Sequence, residues 1–124
     1  MTNAELMRSY YEAYNSEDET RLAPLLADDV VLVSAAGEQQ GKDAYLATYR
    51  TMIATFIDRM TPEKIVESTN GATVDIHDRL VARGDVDDFL GMSLRAGEAI
   101  DLPLTGCYTI EAGRIHHIAI GPRV

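Results

Sequence analysis

Residues 72–86, ATVDIHDRLVARGDV, constrain the fold more than any other stretch of this chain. Alternate residues of a strand point to opposite faces of its sheet. One set here is Val74, Ile76, Asp78, Leu80 and Ala82; the other is Thr73, Asp75, His77, Arg79, Val81 and Arg83. The first set is apolar except for Asp78, and the second is mostly polar. That contrast predicts a strand with one buried face and one wet face. Asp78 then stands alone as a carboxyl group on the buried side. Such a group is costly to bury unless it is paired, neutral or put to use.

The preceding Asn70-Gly71 is a hairpin signal joining this strand to one over residues 63–68. Two registers fit. A two-residue turn sets Glu63 opposite Asp78, and two facing carboxylates would push one pKa up further. A three-residue loop with Gly71 in a left-handed bulge sets Pro62 opposite Asp78 instead. The sequence leaves both open.

The N-terminal half reads as helical. Thr2 and Glu5 form a capping box for a first helix over residues 3–15, with Leu6, Tyr10, Ala13 and Tyr14 along one face. Ser16 and Glu19 read as a second capping box. It opens a short helix that Pro24 should kink or shorten. Asp28-Asp29 ends that helix, residues 30–35 read as a buried strand, and residues 37–41 as a loop. A third helix over residues 42–56 carries Tyr45, Tyr49, Met52 and Phe56 on one stripe, with Ile53 continuing it.

After residues 72–86 comes a polar segment, residues 84–97, holding an apolar plug of Phe89, Leu90, Gly91 and Met92. Residues 98–110 alternate again, with Ile100, Leu102, Leu104, Gly106, Tyr108 and Ile110 on one side. Glu111-Ala112-Gly113 turns the chain into a last strand over residues 114–120. On that alternation His116 joins Ile118 and Ile120 on the apolar face, and His117 points away. Val81, Cys107, Ile115 and Ala119 fall on the outer face among Arg83, Asp101 and Thr109.

Helices first and strands afterwards predict an α+β fold. Three N-terminal helices pack on one face of a curved sheet, antiparallel or mixed, and the cone between them encloses a pocket. At 124 residues, 46% hydrophobic and 25% charged, the chain reads as one globular domain, 1–124. The net charge of −9 argues against nucleic acid and against anionic membranes. No basic head with an apolar core opens the sequence, and the single cysteine permits no internal disulfide, so a cytoplasmic protein is expected. No metal is expected, because adjacent strand histidines point apart and no third ligand falls at ligand spacing.

Five short signals carry a family likeness. They are Tyr14-Asn15-Ser16-Glu17-Asp18, Leu26-Ala27-Asp28-Asp29-Val30 and Gly41-Lys42-Asp43-Ala44. Phe89-Leu90-Gly91 with Gly97 and Glu111-Ala112-Gly113-Arg114-Ile115 complete the set. In this order they resemble the SnoaL-like members of the nuclear transport factor 2-like superfamily. That resemblance implies the cone-shaped fold and a homodimer through the sheet. The superfamily holds isomerases, polyketide cyclases, epoxide hydrolases and non-catalytic binders, so it leaves the chemistry open.

Position by position, the resemblance places Tyr10 where ketosteroid isomerases have their oxyanion-hole tyrosine. Their general base falls at Ser34 and their second oxyanion-hole acid at Gly106. The acid of the polyketide cyclases also falls at Gly106. The Arg-x-Asp of limonene epoxide hydrolase falls near Asp78-Arg79-Leu80, and its second aspartate at Ile120. Its water-holding tyrosine and asparagine fall at Leu32 and Ser34.

From these readings Asp78 is expected to move a proton, Tyr10 to stabilise oxyanion charge, and His116 to relay. Tyr14, Ser34, Tyr49, Met52, Phe56, Ile76, Leu80, Leu104, Tyr108 and Ile118 are expected to bind a small apolar molecule. No cofactor is expected. The alternatives are a binding or dimerisation module of the same fold, and an epoxide hydrolase.

Overall fold

The computed structural model describes residues 1–123. Helix α1 spans Asn3–Asn15 and opens with the expected capping box, Thr2 accepting from the Glu5 amide and Glu5 from that of Thr2. Helix α2 is a single turn, Glu19–Leu22, followed by a 3-10 turn at Ala23–Leu25. Pro24 sits in that tighter turn, so it shortens the helix as expected. The cap of α2 is not the Ser16 box. Asp18 caps it, its carboxylate accepting from the Thr20 amide at 3.0 Å.

Strand β1 (Leu26–Ser34) begins four residues before the expected start. Asp28 and Asp29 do not terminate a helix. They lie where the pairing of β1 shifts between Leu26 and Val31, an irregularity that lets two exposed charges sit inside a strand. The expected loop is a short edge strand, β2 (Gly37–Gln40), paired back onto β1. Helix α3 (Lys42–Thr55) runs straight into β3 (Phe56–Ser68). Phe56 therefore heads a strand and does not extend the helical stripe.

The returning strand β4 is Gly71–Ala82. Its even residues Val74, Ile76, Asp78, Leu80 and Ala82 are all buried, as their alternation predicts. The turn before it uses Thr69-Asn70, because Gly71 is already paired with Ser68. Gly71 has a different duty: a Cβ there would lie 1.7 Å from the Tyr108 carbonyl oxygen of the neighbouring strand. Only glycine permits that approach.

Neither expected register holds. Met60 lies opposite Asp78, and Asp58 opposite Leu80. The earlier turn and a bulge between Pro62 and Lys64 account for the difference. Beyond β4, Val86–Phe89 (β5) and Met92–Leu94 (β6) form a separate small hairpin. Leu90 and Gly91 turn it with positive φ angles of 53° and 80°. Strands β7 (Ala99–Glu111) and β8 (Arg114–Pro122) complete the main sheet.

That sheet has six strands in the order β2-β1-β8-β7-β4-β3. The β1–β8 pair is parallel and every other pair antiparallel, so the sheet is mixed. It curls around the helices without closing, leaving β2 and β3 as edges. The core falls into two clusters. The larger joins α1, α3 and the sheet through Met7, Tyr11, Tyr49, Val74, Ile115 and Ile118. The smaller joins Phe56, Leu80, Ala82 and Leu94, with Phe89 beside them. No helix among the described residues is long and apolar enough to cross a membrane.

Candidate active site

Between the helices and the curled sheet lies a cavity of about 460 Å³. Residues from α1, α3 and five strands of the main sheet line it, and most are apolar or aromatic. Size and lining suit a small apolar ligand. The β5–β6 hairpin does not plug it. Phe89 packs against Phe56 with ring centroids 4.8 Å apart, and Asp88, Phe89 and Leu90 form part of the cavity wall. Met92 is not part of that wall.

Asp78 faces this cavity from β4 and is only 3% exposed. Its partner is Asp58 on β3, 1% exposed, which sequence reading had passed over. Because Met60 is opposite Asp78, Asp58 is the diagonal neighbour on the same sheet face. Diagonal neighbours on one sheet face bring their side chains close enough to interact. Among the described residues, no ion pair includes either of them. Each keeps its Oδ1 buried without a hydrogen-bond partner. Burial, then the hydrogen bond and negative charge of Asp58, push the Asp78 pKa far above the usual carboxylate range.

Tyr14 completes the group. Its hydroxyl donates to Asp58 Oδ2 at 2.8 Å. Two neighbours fix the end of α1 that carries it. Asn15 clamps the backbone of Met60, accepting from its amide at 2.9 Å and donating to its carbonyl at 2.8 Å. The Tyr49 hydroxyl donates to the Tyr14 carbonyl at 2.7 Å. Burial, with the negative charge of Asp58, holds the Tyr14 phenol well above its ordinary pKa, so it stays a donor.

Tyr10 lies beside this group, and its hydroxyl shares a hydrogen bond of 2.5 Å with that of Tyr45. Both line the cavity. Tyr11 and Tyr108 form a second hydroxyl pair at 2.7 Å. Burial raises the pKa of all four phenols.

Of the residues expected to bind a ligand, Tyr14, Ser34, Tyr49, Met52, Leu80, Leu104, Tyr108 and Ile118 do line the cavity. Phe56 and Ile76 do not. Phe56 belongs to the smaller core cluster, and Ile76 is wholly buried in the larger one. His116 is not at the site either. Thr109 pairs with His117 and Ile110 with Ile115, so His116 is the extra residue of a bulge. The bulge breaks the alternation that would have carried Ile118 and Ile120 through to His116. Ile115, expected outside, is buried instead. The His116 ring lies 3.4 Å from Asp29, away from the cavity.

Two positions singled out by family likeness are explained by packing. A Cβ on Gly106 would lie 2.7 Å from the Tyr108 ring, so the aromatic side chain fills the space an acid would need. Arg79 is on the outer face, where it and His77 both bond Asp101. A cavity residue with no sequence signal is Arg123. Its guanidinium donates to Glu63 at 2.6 Å and to the Ile76 carbonyl at 2.8 Å.

The family model of the SnoaL-like domain matches residues 7–118. The chain belongs to that family. Solved structures of the SnoaL-like chain's fold include a proposed polyketide cyclase from Pseudomonas putida. It is 24% identical, with a TM-score of 0.79 over 100% of this chain and 93% of that one. A nuclear transport factor 2-like protein of unknown function from Burkholderia pseudomallei is 22% identical (TM-score 0.79, 98% and 90% covered). An epoxide hydrolase of limonene-hydrolase type from M. tuberculosis is 14% identical (TM-score 0.78, 98% and 82% covered). These likenesses establish the fold alone. No curated protein matches the chain.

Proposed function

We propose that this SnoaL-like protein is a cofactor-free proton-transfer enzyme of isomerase or cyclase type. Its substrate is a small, largely apolar molecule with an enolisable carbonyl. The observation that carries this reading is the Asp78 carboxyl set in an apolar cavity wall. A carboxyl group there moves protons near neutral pH more readily than a solvated one. In this reading Asp78 takes a proton from the carbon beside the carbonyl and returns it elsewhere on the substrate. The Tyr10 hydroxyl donates to the oxygen that gains negative charge. Arg79, turned to the outer face, is not available to assist Asp78, which weighs against hydration of an epoxide by the limonene-hydrolase arrangement.

The test is α-proton exchange and isomerisation of a panel of enolisable ketones in D2O, followed by NMR. Asp78→Asn should lower turnover by about 10²–10⁴-fold. Full turnover in that variant would remove Asp78 as the base. Saturable ligand binding without any turnover would make the protein a binding module. The same proposal includes a homodimer through the outer sheet face, where Val81, Cys107 and Ala119 lie among Asp101 and Thr109. Arg83, expected on that face, instead bonds the Ile53 and Phe56 carbonyls and Glu17 on the helix side. Sedimentation equilibrium would show a monomer if this part is wrong.

A further inference from the structure

We propose that Asp58 and Asp78 hold one proton between them, and that Asp58 is the positioning residue through which Asp78 exchanges protons with a substrate. This deepens the proton-transfer reading above and rests on it for the substrate. The shared proton itself rests on geometry.

Two carboxyls occupy one buried sheet face with no cation to offset them. Two charges there would repel at short range in a medium of low dielectric. With both protonated, the Tyr14 hydroxyl would donate to a neutral acid and the phenol's strongest acceptor would be lost. The intermediate state answers both conditions. One carboxyl is neutral and donates to the other, and the charged one also receives the Tyr14 hydroxyl.

Access decides which is which. Asp78 lines the cavity and Asp58 does not. Asp58 accepts the Tyr14 hydroxyl, a donor that Asp78 lacks. At rest the charge therefore belongs on Asp58 and the proton on Asp78. The phenols that feel the charge of the pair are Tyr10 and Tyr14 from α1 and Tyr49 from α3. Tyr45, Asp88 and Tyr108 are the other titratable groups lining the cavity besides Arg123. Arg123 lines the same cavity, held by Glu63 and the Ile76 carbonyl.

This arrangement removes an obstacle in the proposed reaction, since a neutral Asp78 cannot by itself accept a proton. As a substrate C–H bond breaks, its proton goes to the free oxygen of Asp78. The proton that Asp78 already held passes to the Asp58 carboxylate. The pair goes from one negative charge to none, and the substrate from neutral to enolate. Reversal at another substrate atom restores the start, so atoms and charge balance without any co-reactant. The class of substrate is thereby narrowed to neutral carbonyl compounds.

Carboxyl ¹³C NMR titration of the wild type, Asp58→Asn, Asp78→Asn and Tyr14→Phe tests the shared proton without any substrate. In the wild type the two carboxyls should titrate in two separated steps, with a broad one-proton plateau across neutral pH. Asp58→Asn should leave a single Asp78 step, at least about one pH unit below the upper wild-type step. Tyr14→Phe should narrow the plateau, because the charge held by the pair loses its donor. Two independent titrations in the ordinary carboxylate range would overturn the proposal. So would an Asp78 step that Asp58→Asn leaves in place. A one-proton plateau together with undiminished turnover in Asp78→Asn would sink the enzymatic reading while leaving the shared proton intact.

Discussion

The β3–β4 register sets Asp58 opposite Leu80 and Met60 opposite Asp78, and so brings two carboxyl groups together diagonally on the buried face. A one-residue slip would send Asp58 to the outer face beside Arg79 and His77. The pairing that builds the site is therefore the same pairing that builds the sheet.

Stability should depend on pH through Asp78. Its folded pKa lies above the ordinary value of 3.8, so the fold favours the protonated form. The stabilisation this group contributes is complete below about pH 4 and is lost as pH rises toward the folded pKa. Asp78→Asn cannot ionise and escapes that loss. The variant should exceed the wild type by about 1–2 kcal/mol at pH 7, with a gap that narrows toward pH 4. Urea unfolding across this range measures it. A gap that widened on acidification would reverse the assigned direction of the shift.

Tyr14→Phe should destabilise by about 1–3 kcal/mol, because Asp58 Oδ2 would be buried without its donor. The loss should shrink in an Asp58→Asn background, where no carboxylate needs the hydroxyl. A double-mutant cycle by denaturant unfolding gives the coupling. Zero coupling would mean that the bond contributes nothing.

His116→Ala should leave turnover within twofold of wild type and stability within about 0.5 kcal/mol. The side chain sits in the β8 bulge beside Asp29, at the surface. A tenfold loss of rate with an unchanged fold would return it to the site.

Gly106→Ala should cost about 1–3 kcal/mol, since the new methyl meets the Tyr108 ring. The cost should vanish in a Tyr108→Ala background. Thermal unfolding of the wild type and the three variants decides whether the ring is the obstacle.

The larger features were legible because they rest on periodicity. The buried even face of β4, the capping box of α1 and the apolar even residues of β7 all follow from spacing alone. Asp58 could have been found the same way: Phe56, Asp58 and Met60 alternate with Ile57, Arg59 and Thr61, again with one acid on an apolar face. It was hidden because a continuous apolar stripe carried the α3 reading one residue into β3. The position of His116 was beyond such reasoning, since a bulge one residue long turns Ile115 inward between it and the hairpin turn while Ile118 keeps its face. The duties of Gly71 and Gly106 were also out of reach. Each answers to a neighbouring strand's atoms, which no local pattern records.

The two core clusters have a consequence for how such a protein can change. The tyrosines around the carboxyl pair belong to the large cluster, and the β5–β6 hairpin is anchored by the small one through Phe56, Leu80 and Leu94. The pair itself lies at the seam, with Asp58 opposite Leu80 of the small cluster and Asp78 opposite Met60, which packs on the large one. Leu90, 55% exposed at the hairpin's tip, borders the cavity yet has no part in the packing that holds the acids. The hairpin and the acids thus share one footing, Leu80. A change at Leu90 can reshape the cavity wall alone, whereas a change at Leu80 reaches the hairpin and the acids together.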